Sequence, residues 1–156
     1  MHLTISSFNK ASDHLRATAF GGIVSIGDPG SDCPVGINPE DPRVLRLTFE
    51  DAIDLDNPAG PSRAHVQEIL AFSKLFWPLG LPVLVHCRAG VSRSTAASLL
   101  MIAQHLGPGR EDEAVAALLA CEGGATALPN GRMVRLGDAA LGRDGSLVRA
   151  VARQWS

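Results

Sequence analysis

Three short segments of the chain have the hydrophobic pattern of β-strands. Residues 22–27 form an apolar run that ends at the turn-forming sequence 28–30, Asp-Pro-Gly, so a buried strand is predicted there. Residues 44–49 alternate between polar and apolar side chains, which is the pattern of a half-buried strand. Residues 81–85 are continuously apolar, which is typical of a central strand covered on both faces.

The segments between and after these strands have the spacing of α-helices. Apolar residues recur at helical spacing over residues 61–77 and again over residues 94–106. A third helix is predicted over residues 111–120, because three acidic residues lie in its first turn. Two short helices are predicted over residues 131–141 and 145–154. Strands that alternate with helices predict an α/β fold with a mostly parallel central sheet and helices on both faces.

Length, composition and charge narrow the class of protein. A chain of 156 residues with 46% hydrophobic residues predicts a single domain over residues 1–156 with one core. The net charge of −2 and the absence of a concentrated basic run argue against a nucleic-acid partner. No apolar stretch approaches the roughly 20 residues that span a bilayer, so no membrane association is expected.

The cysteines indicate a reducing compartment. Cys33, Cys87 and Cys121 are odd in number and none forms a C-x-x-C pair, which argues against a disulfide framework and a structural zinc site. The sequence shows no cluster of residues at metal-ligand spacing, so we expect neither a metal ion nor another cofactor. The N-terminal residues lack the pattern of a signal peptide, and a cytoplasmic location is therefore predicted.

The segment after the apolar run 81–85 has the features of an anion site. Ligands of open α/β sheets bind beyond the carboxyl ends of the strands, and this segment leads from such an end into a helix. Gly90 and its small neighbours allow a tight loop with inward backbone N–H groups, and Arg93 can hold two oxygens of a phosphate. The field that binds an anion also stabilises the thiolate of Cys87, which would lie under the phosphorus as a nucleophile.

Residues 86–94, His-Cys-Arg-Ala-Gly-Val-Ser-Arg-Ser, resemble a known signature. They match the H-C-x5-R-[S/T] motif of the cysteine-dependent protein tyrosine phosphatases, and H-C-x-x-G-x-S-R-S is similar to the dual-specificity branch. The resemblance extends over about residues 20–140. It implies that the protein hydrolyses phosphate monoesters through a phosphocysteine intermediate.

The resemblance implies a role for each matched position. Cys87 is the nucleophile, Arg93 binds the phosphate and stabilises the transition state, and Ser94 assists breakdown of the intermediate. His86 orients the loop and does not act as the catalytic base. The backbone N–H groups that bind the substrate phosphate belong to Arg88, Ala89, Gly90, Val91, Ser92 and Arg93. Asn130 follows Leu128 and Pro129 in a segment that resembles the element packed behind the loop, although a plain turn residue is an equal alternative.

The family also uses an aspartate upstream of the cysteine as general acid, and three residues are candidates. Asp51, Asp54 and Asp56 precede Cys87 by 36, 33 and 31 residues. Residues 47–51 resemble the strand end of small dual-specificity members, which favours Asp51. The separation between Asp51 and Cys87 is slightly longer than in many relatives, so Asp54 and Asp56 remain candidates for the general acid.

The expected substrate is a phosphorylated protein or peptide. The loop carries one extra cation, Arg88, whereas lipid phosphatases of the superfamily usually carry several, so a phosphoinositide is the weaker alternative. Arsenate reduction would need a resolving cysteine, and neither Cys33 nor Cys121 has an obvious spacing for it. A module that binds phosphate without catalysis is the remaining alternative.

Overall fold

The computed structural model describes residues 2–156, which contain a four-stranded, fully parallel sheet. Along the sheet the order is β1-β4-β2-β3, so β4 is a central strand. The strands are β1 (His2–Ser7), β2 (Gly22–Gly27), β3 (Val44–Thr48) and β4 (Pro82–Cys87). The carboxyl ends of parallel strands meet at one edge of a sheet, and the loops that follow β2, β3 and β4 therefore lie together.

Within residues 2–156, six α-helices flank the sheet. They are α1 (Phe8–Ala17), α2 (Arg63–Phe76), α3 (Arg93–Leu106), α4 (Glu111–Ala120), α5 (Gly131–Ala140) and α6 (Ser146–Trp155), with a short 3-10 turn, Trp77–Leu79, after α2. None of the helices within residues 2–156 has the length and hydropathy needed to span a bilayer.

Both faces of β4 are covered. Val83, Val85 and Cys87 belong to the main hydrophobic core, to which α2 and α3 contribute. Successive side chains of a strand point to opposite faces, so Leu84 and His86 face the other way. The ring of Phe8, the first residue of α1, lies 6.4 Å from the His86 ring, which places α1 on that second face. The predicted α/β class with a parallel sheet is confirmed.

The boundaries of the predicted elements differ little from those observed, but the first two elements were missed. No strand was predicted over His2–Ser7 and no helix over Phe8–Ala17. In β1 the apolar Leu3 and Ile5 alternate with Thr4 and Ser6, and all four are buried. Two of these buried positions carry hydroxyl side chains. The segment therefore lacks the continuous apolar sequence that predicts a buried strand.

Candidate active site

The segment that resembles the phosphatase signature forms a loop at the carboxyl end of the central strand. Strand β4 ends at Cys87, and helix α3 begins at Arg93. The backbone N–H of Phe8 donates to the carbonyl oxygen of Arg88 at 3.0 Å and ties the loop to the start of α1. The structure thus has the strand–loop–helix arrangement expected from the sequence. We call residues 88–92 the anion loop.

Cys87 lies at the base of this loop beside a hydroxyl group. Its Sγ is 3.0 Å from Oγ of Ser94, and both side chains are buried. The amino end of α3 directs free backbone N–H groups and the positive end of the helix dipole toward this region. A Ser94 hydroxyl that donates to the sulfur would stabilise a thiolate, which is the reactive form of cysteine.

The guanidinium of Arg93 is buried and only partly paired. Its Nη1 donates to the carbonyl oxygen of Phe49 at 2.7 Å and to Oδ1 of Asp28 at 2.9 Å. Its Nε is buried and has no hydrogen-bond partner among residues 2–156. A buried donor on a charged group without an acceptor is costly, and a bound anion would supply that acceptor. The site therefore has the donor set of an anion-binding pocket.

Gly90 allows the anion loop to lie against the end of β1. Its φ of +72° is in the left-handed region that glycine adopts without strain. A Cβ added at this position would lie 2.8 Å from the backbone carbon of Ser6 and 2.8 Å from the backbone nitrogen of Ser7. The backbone of β1 cannot move aside easily, so the loop conformation requires glycine.

This geometry predicts that Gly90→Ala destabilises the protein more than the same change at Gly109. Gly109 also has a positive φ, of +87°, but no atom lies within 4 Å of its added Cβ. Backbone strain alone should cost about 1–2 kcal/mol at Gly109. The clash with β1 should add about 1–3 kcal/mol at Gly90. Urea denaturation of both variants measures the difference, and equal losses would contradict the packing argument.

Of the three candidate aspartates, the structure brings Asp51 to the anion loop. The hydroxyl of Ser92 donates to Oδ1 of Asp51 at 2.7 Å. The carboxylate of Asp54 instead accepts the backbone N–H of Asp56 at 3.0 Å and so caps a local turn. Asp51 is therefore the aspartate whose carboxylate contacts the loop that follows Cys87.

Asn130 joins the anion loop, the Asp51 segment and α5. Its Nδ2 donates to Oδ1 of Asp51 at 2.8 Å and to the carbonyl oxygen of Ala52 at 3.2 Å. Its Oδ1 accepts the backbone N–H of Met133 and caps the amino end of α5. Its own backbone N–H donates to the carbonyl oxygen of Ser92 at 3.1 Å. Asn130 therefore links three segments around the anion loop, which a plain turn residue would not do.

His86 joins the end of β4 to β2. Its Nδ1 lies 3.2 Å from the carbonyl oxygen of Cys87, and its Nε2 lies 2.6 Å from Oγ of Ser25. Burial is the main cause that lowers the pKa of His86 to about 4, and the charges of Arg46 and Arg93 act in the same direction. The ring is therefore neutral at pH 7. A neutral ring that donates to Cys87 through Nδ1 accepts at Nε2, and the Ser25 hydroxyl can provide that hydrogen.

Asp28, Ser25 and Arg46 also contribute to the site, and none of them was recognised in the sequence. Asp28 lies in the predicted turn 28–30, and it follows a strand that pairs with β4. Nη1 of Arg46 donates to Oγ of Ser25 at 3.1 Å, behind His86. The position of Asp28 at the carboxyl edge of the sheet was the one signal that pointed to it.

The comparisons with known proteins agree with this architecture. No protein-family model and no curated protein matches the sequence. The fold is similar to that of a human tyrosine phosphatase-like serine/threonine/tyrosine-interacting protein, with 22% identity, a TM-score of 0.66, and coverage of 88% of this chain and 89% of that one. It is also similar to DUSP15, with 23% identity, a TM-score of 0.65, and coverage of 99% and 92%.

A third similar structure is that of PTPMT1 in complex with PI(5)P, with 15% identity, a TM-score of 0.61, and coverage of 99% of this chain and 95% of that one. The chain therefore has the fold of the dual-specificity and protein tyrosine phosphatases. The fold implied by the sequence resemblance is confirmed.

Proposed function

We propose that the protein is a phosphomonoester hydrolase that acts as a protein tyrosine or dual-specificity phosphatase through a phosphocysteine intermediate. The observation that carries this proposal is the buried, unpartnered Nε of Arg93, at the end of a loop that begins at Cys87. A site with an anion donor set and a buried thiol beside a hydroxyl suits nucleophilic attack on phosphate.

In the first step the thiolate of Cys87 attacks the phosphorus of the bound ester. The S–P bond forms, the bond from phosphorus to the ester oxygen breaks, and the leaving oxygen takes a proton from Asp51. The backbone N–H groups of the anion loop and the guanidinium of Arg93 stabilise the charge on the remaining oxygens. Asp51 has the required support, because Ser92 and Asn130 both donate to its Oδ1.

In the second step water attacks the phosphocysteine. The Asp51 carboxylate accepts a proton from that water, the S–P bond breaks, and phosphate is released. The leaving sulfur becomes a thiolate again, and the Ser94 hydroxyl at 3.0 Å stabilises it by donating a hydrogen bond. The scheme uses only side chains and backbone N–H groups of this chain, so the reaction is expected to proceed without a metal ion or another cofactor.

The substrate is proposed to be a phosphorylated protein or peptide. A phosphoinositide is the second candidate, and a protein that binds phosphate without hydrolysing it is the third. The proposal also places the protein in the cytoplasm, where reducing conditions keep the thiol of Cys87 available. Neither a nucleic-acid partner nor a membrane partner is part of the proposal.

The covalent intermediate provides the direct test. We expect rapid acid quenching during turnover of an aryl phosphate, with a metal chelator present, to yield a peptide containing Cys87 that carries one added phosphoryl group. Mass spectrometry identifies the modified residue. Phosphate release with the phosphoryl group on another residue would contradict the mechanism. Tight phosphate binding with no release would instead support the non-catalytic alternative.

A further inference from the structure

One carboxylate bridges the two arginines of the phosphate site. Oδ1 of Asp28 accepts from Nη1 of the buried Arg93 at 2.9 Å, and Oδ2 lies 3.6 Å from Nη1 of Arg88. The Arg88 side chain is 82% exposed and that of Asp28 is 39% exposed, so the group lies at the mouth of the site. Asp28 thus lies beside two cations. Arg93 would hold the phosphate, and Arg88 would meet the rest of a larger substrate.

The turn after β2 holds Asp28 in this position. The backbone N–H and the hydroxyl of Ser31 both donate to the carbonyl oxygen of Asp28, at 3.0 and 2.6 Å, and Gly30 has the positive φ of +79° that such a turn uses. Nη2 of Arg46 in turn donates to the carbonyl oxygen and to Oγ of Ser31, at 2.9 and 3.0 Å. The turn is therefore tied to β3, and the carboxylate of Asp28 is not a freely mobile surface group.

The carboxylate changes the charge that an approaching substrate meets. The two guanidinium groups carry two positive charges, and Asp28 cancels one of them. Nη1 of Arg93 donates to the carboxylate of Asp28 and to the carbonyl oxygen of Phe49. Its Nε has no partner among residues 2–156 and is available to bind one phosphate. A second anionic group beside that phosphate would meet Asp28 as well as Arg88, and Asp28 would repel it.

The surroundings of Asp28 add to this effect. A cleft of about 440 Å³ beside the anion loop is lined by Asp28, Asp32, Arg88, Phe8 and Ile26, among others. Its lining includes two carboxylates, one arginine and two apolar side chains, and the other lining residues are uncharged. The substrate portion next to the phosphate therefore meets a neutral to acidic surface.

We propose that Asp28 is a specificity-determining residue that restricts the site to phosphate esters without a second anionic group next to the phosphate. This inference rests on the proposed function and names the substrate class more closely: phosphorylated residues with neutral or basic neighbours, in preference to multiply phosphorylated molecules. Asp28 also positions Arg93, and Asn at this position keeps an oxygen that can accept from Nη1.

Binding of inorganic phosphate and pyrophosphate tests the charge effect without turnover. The probes differ by one phosphoryl group, and calorimetry on the Cys87→Ser protein gives both Kd values. Adding Asp28→Asn should tighten pyrophosphate binding about five- to tenfold and phosphate binding about twofold at low salt. The matched control is Asp32→Asn, which removes the same charge from the same cleft. It should change the ratio of the two Kd values by less than about twofold, because Asp32 has no ion pair with Arg88 or Arg93 among the described residues.

Equal tightening of both probes by Asp28→Asn, or an equal effect of Asp32→Asn, would overturn the proposal. Absence of phosphate binding would overturn it together with the proposed function. If the expected ratio is found but the protein with intact Cys87 releases no phosphate from any ester, the proposed function alone fails.

Turnover provides the second measurement. With Cys87 intact, Asp28→Asn should raise kcat/KM for a phosphotyrosine peptide with acidic neighbours about fivefold relative to the same peptide with neutral neighbours. The gain should shrink at high salt, because screening weakens exposed charges. A fall in kcat that is the same for both peptides would show that Asp28 only positions Arg93, and this result would also overturn the specificity role.

Discussion

Cys87→Ser is expected to lower phosphate release from an aryl phosphate on the order of 10⁴-fold or more, as the loss of a covalent nucleophile does in other enzymes. A hydroxyl in the same place keeps its proton at neutral pH, because an alcohol is a far weaker acid than a thiol. Serine is close to cysteine in size, so the buried site beside Ser94 and the anion loop should be retained. Phosphate should therefore still bind while turnover is lost.

The control for this prediction is Cys121→Ser. Burial raises the pKa of the Cys121 thiol, which donates to the carbonyl oxygen of Ala117 at 3.3 Å and takes no part in the anion loop. Its replacement should change the rate by less than about twofold, in line with other changes away from a site. A steady-state assay of phosphate release compares the two variants. Substantial turnover by the Cys87→Ser protein would contradict a covalent mechanism at this residue.

The parts of the site that the sequence predicted lie on one continuous segment. The run 86–94 carries the proposed nucleophile, the anion loop and Arg93 within nine residues. The flanking apolar patterns predict the strand and the helix around it. Local spacing decides this geometry, because a strand end and a helix start leave little freedom in a short loop. The resemblance to the phosphatase signature uses these same residues.

The contacts that were missed join residues far apart along the chain. Asp28 meets Arg93 across 65 positions, and Ser25 meets His86 across 61. These pairs depend on β2 lying beside β4 in the sheet, which hydrophobic periodicity does not specify. The pattern showed that two buried strands exist but not that they are neighbours, so Asp28 had the appearance of an ordinary turn residue.

The sequence alone does not distinguish the three candidate aspartates, for a related reason. The segment after β3 has no regular secondary structure up to α2, so its path has to be fixed by contacts with other parts of the chain. Arg132 of α5 donates to the carbonyl oxygens of Asp54 and Asn57, the latter at 2.8 Å, and so holds the middle of the segment. Asn130 holds its beginning at Asp51. Neither contact can be read from residues 50–61 alone.

Asp51→Asn is expected to lower kcat/KM for esters with poor leaving groups about 10²- to 10⁴-fold, which is the usual contribution of a general acid. The loss of kcat/KM should be much smaller for an aryl phosphate with an electron-withdrawing ring, because that leaving oxygen departs without a proton. The hydrolysis of the phosphocysteine, in which Asp51 would act as base, does not enter kcat/KM. The amide oxygen of asparagine can still accept from Ser92 and Asn130, so the loop should keep its shape. Comparing kcat/KM for an alkyl phosphate and an activated aryl phosphate isolates the proton transfer to the leaving oxygen.

Asp54→Asn and Asp56→Asn are the matched controls for this prediction, because they make the same chemical change in the same segment. The carboxylate of Asp54 accepts the backbone N–H of Asp56, and an asparagine oxygen can do the same. Within residues 2–156 the anion loop bonds to the carboxylate of Asp51 and not to those of Asp54 and Asp56, so neither control should affect the leaving-group dependence. If Asp51→Asn retains its rate on the alkyl ester while one of the controls loses it, the general acid is that other aspartate, and the segment 50–61 must move during turnover to bring it to the anion loop. If all three retain it, the leaving oxygen takes its proton from a group outside this segment.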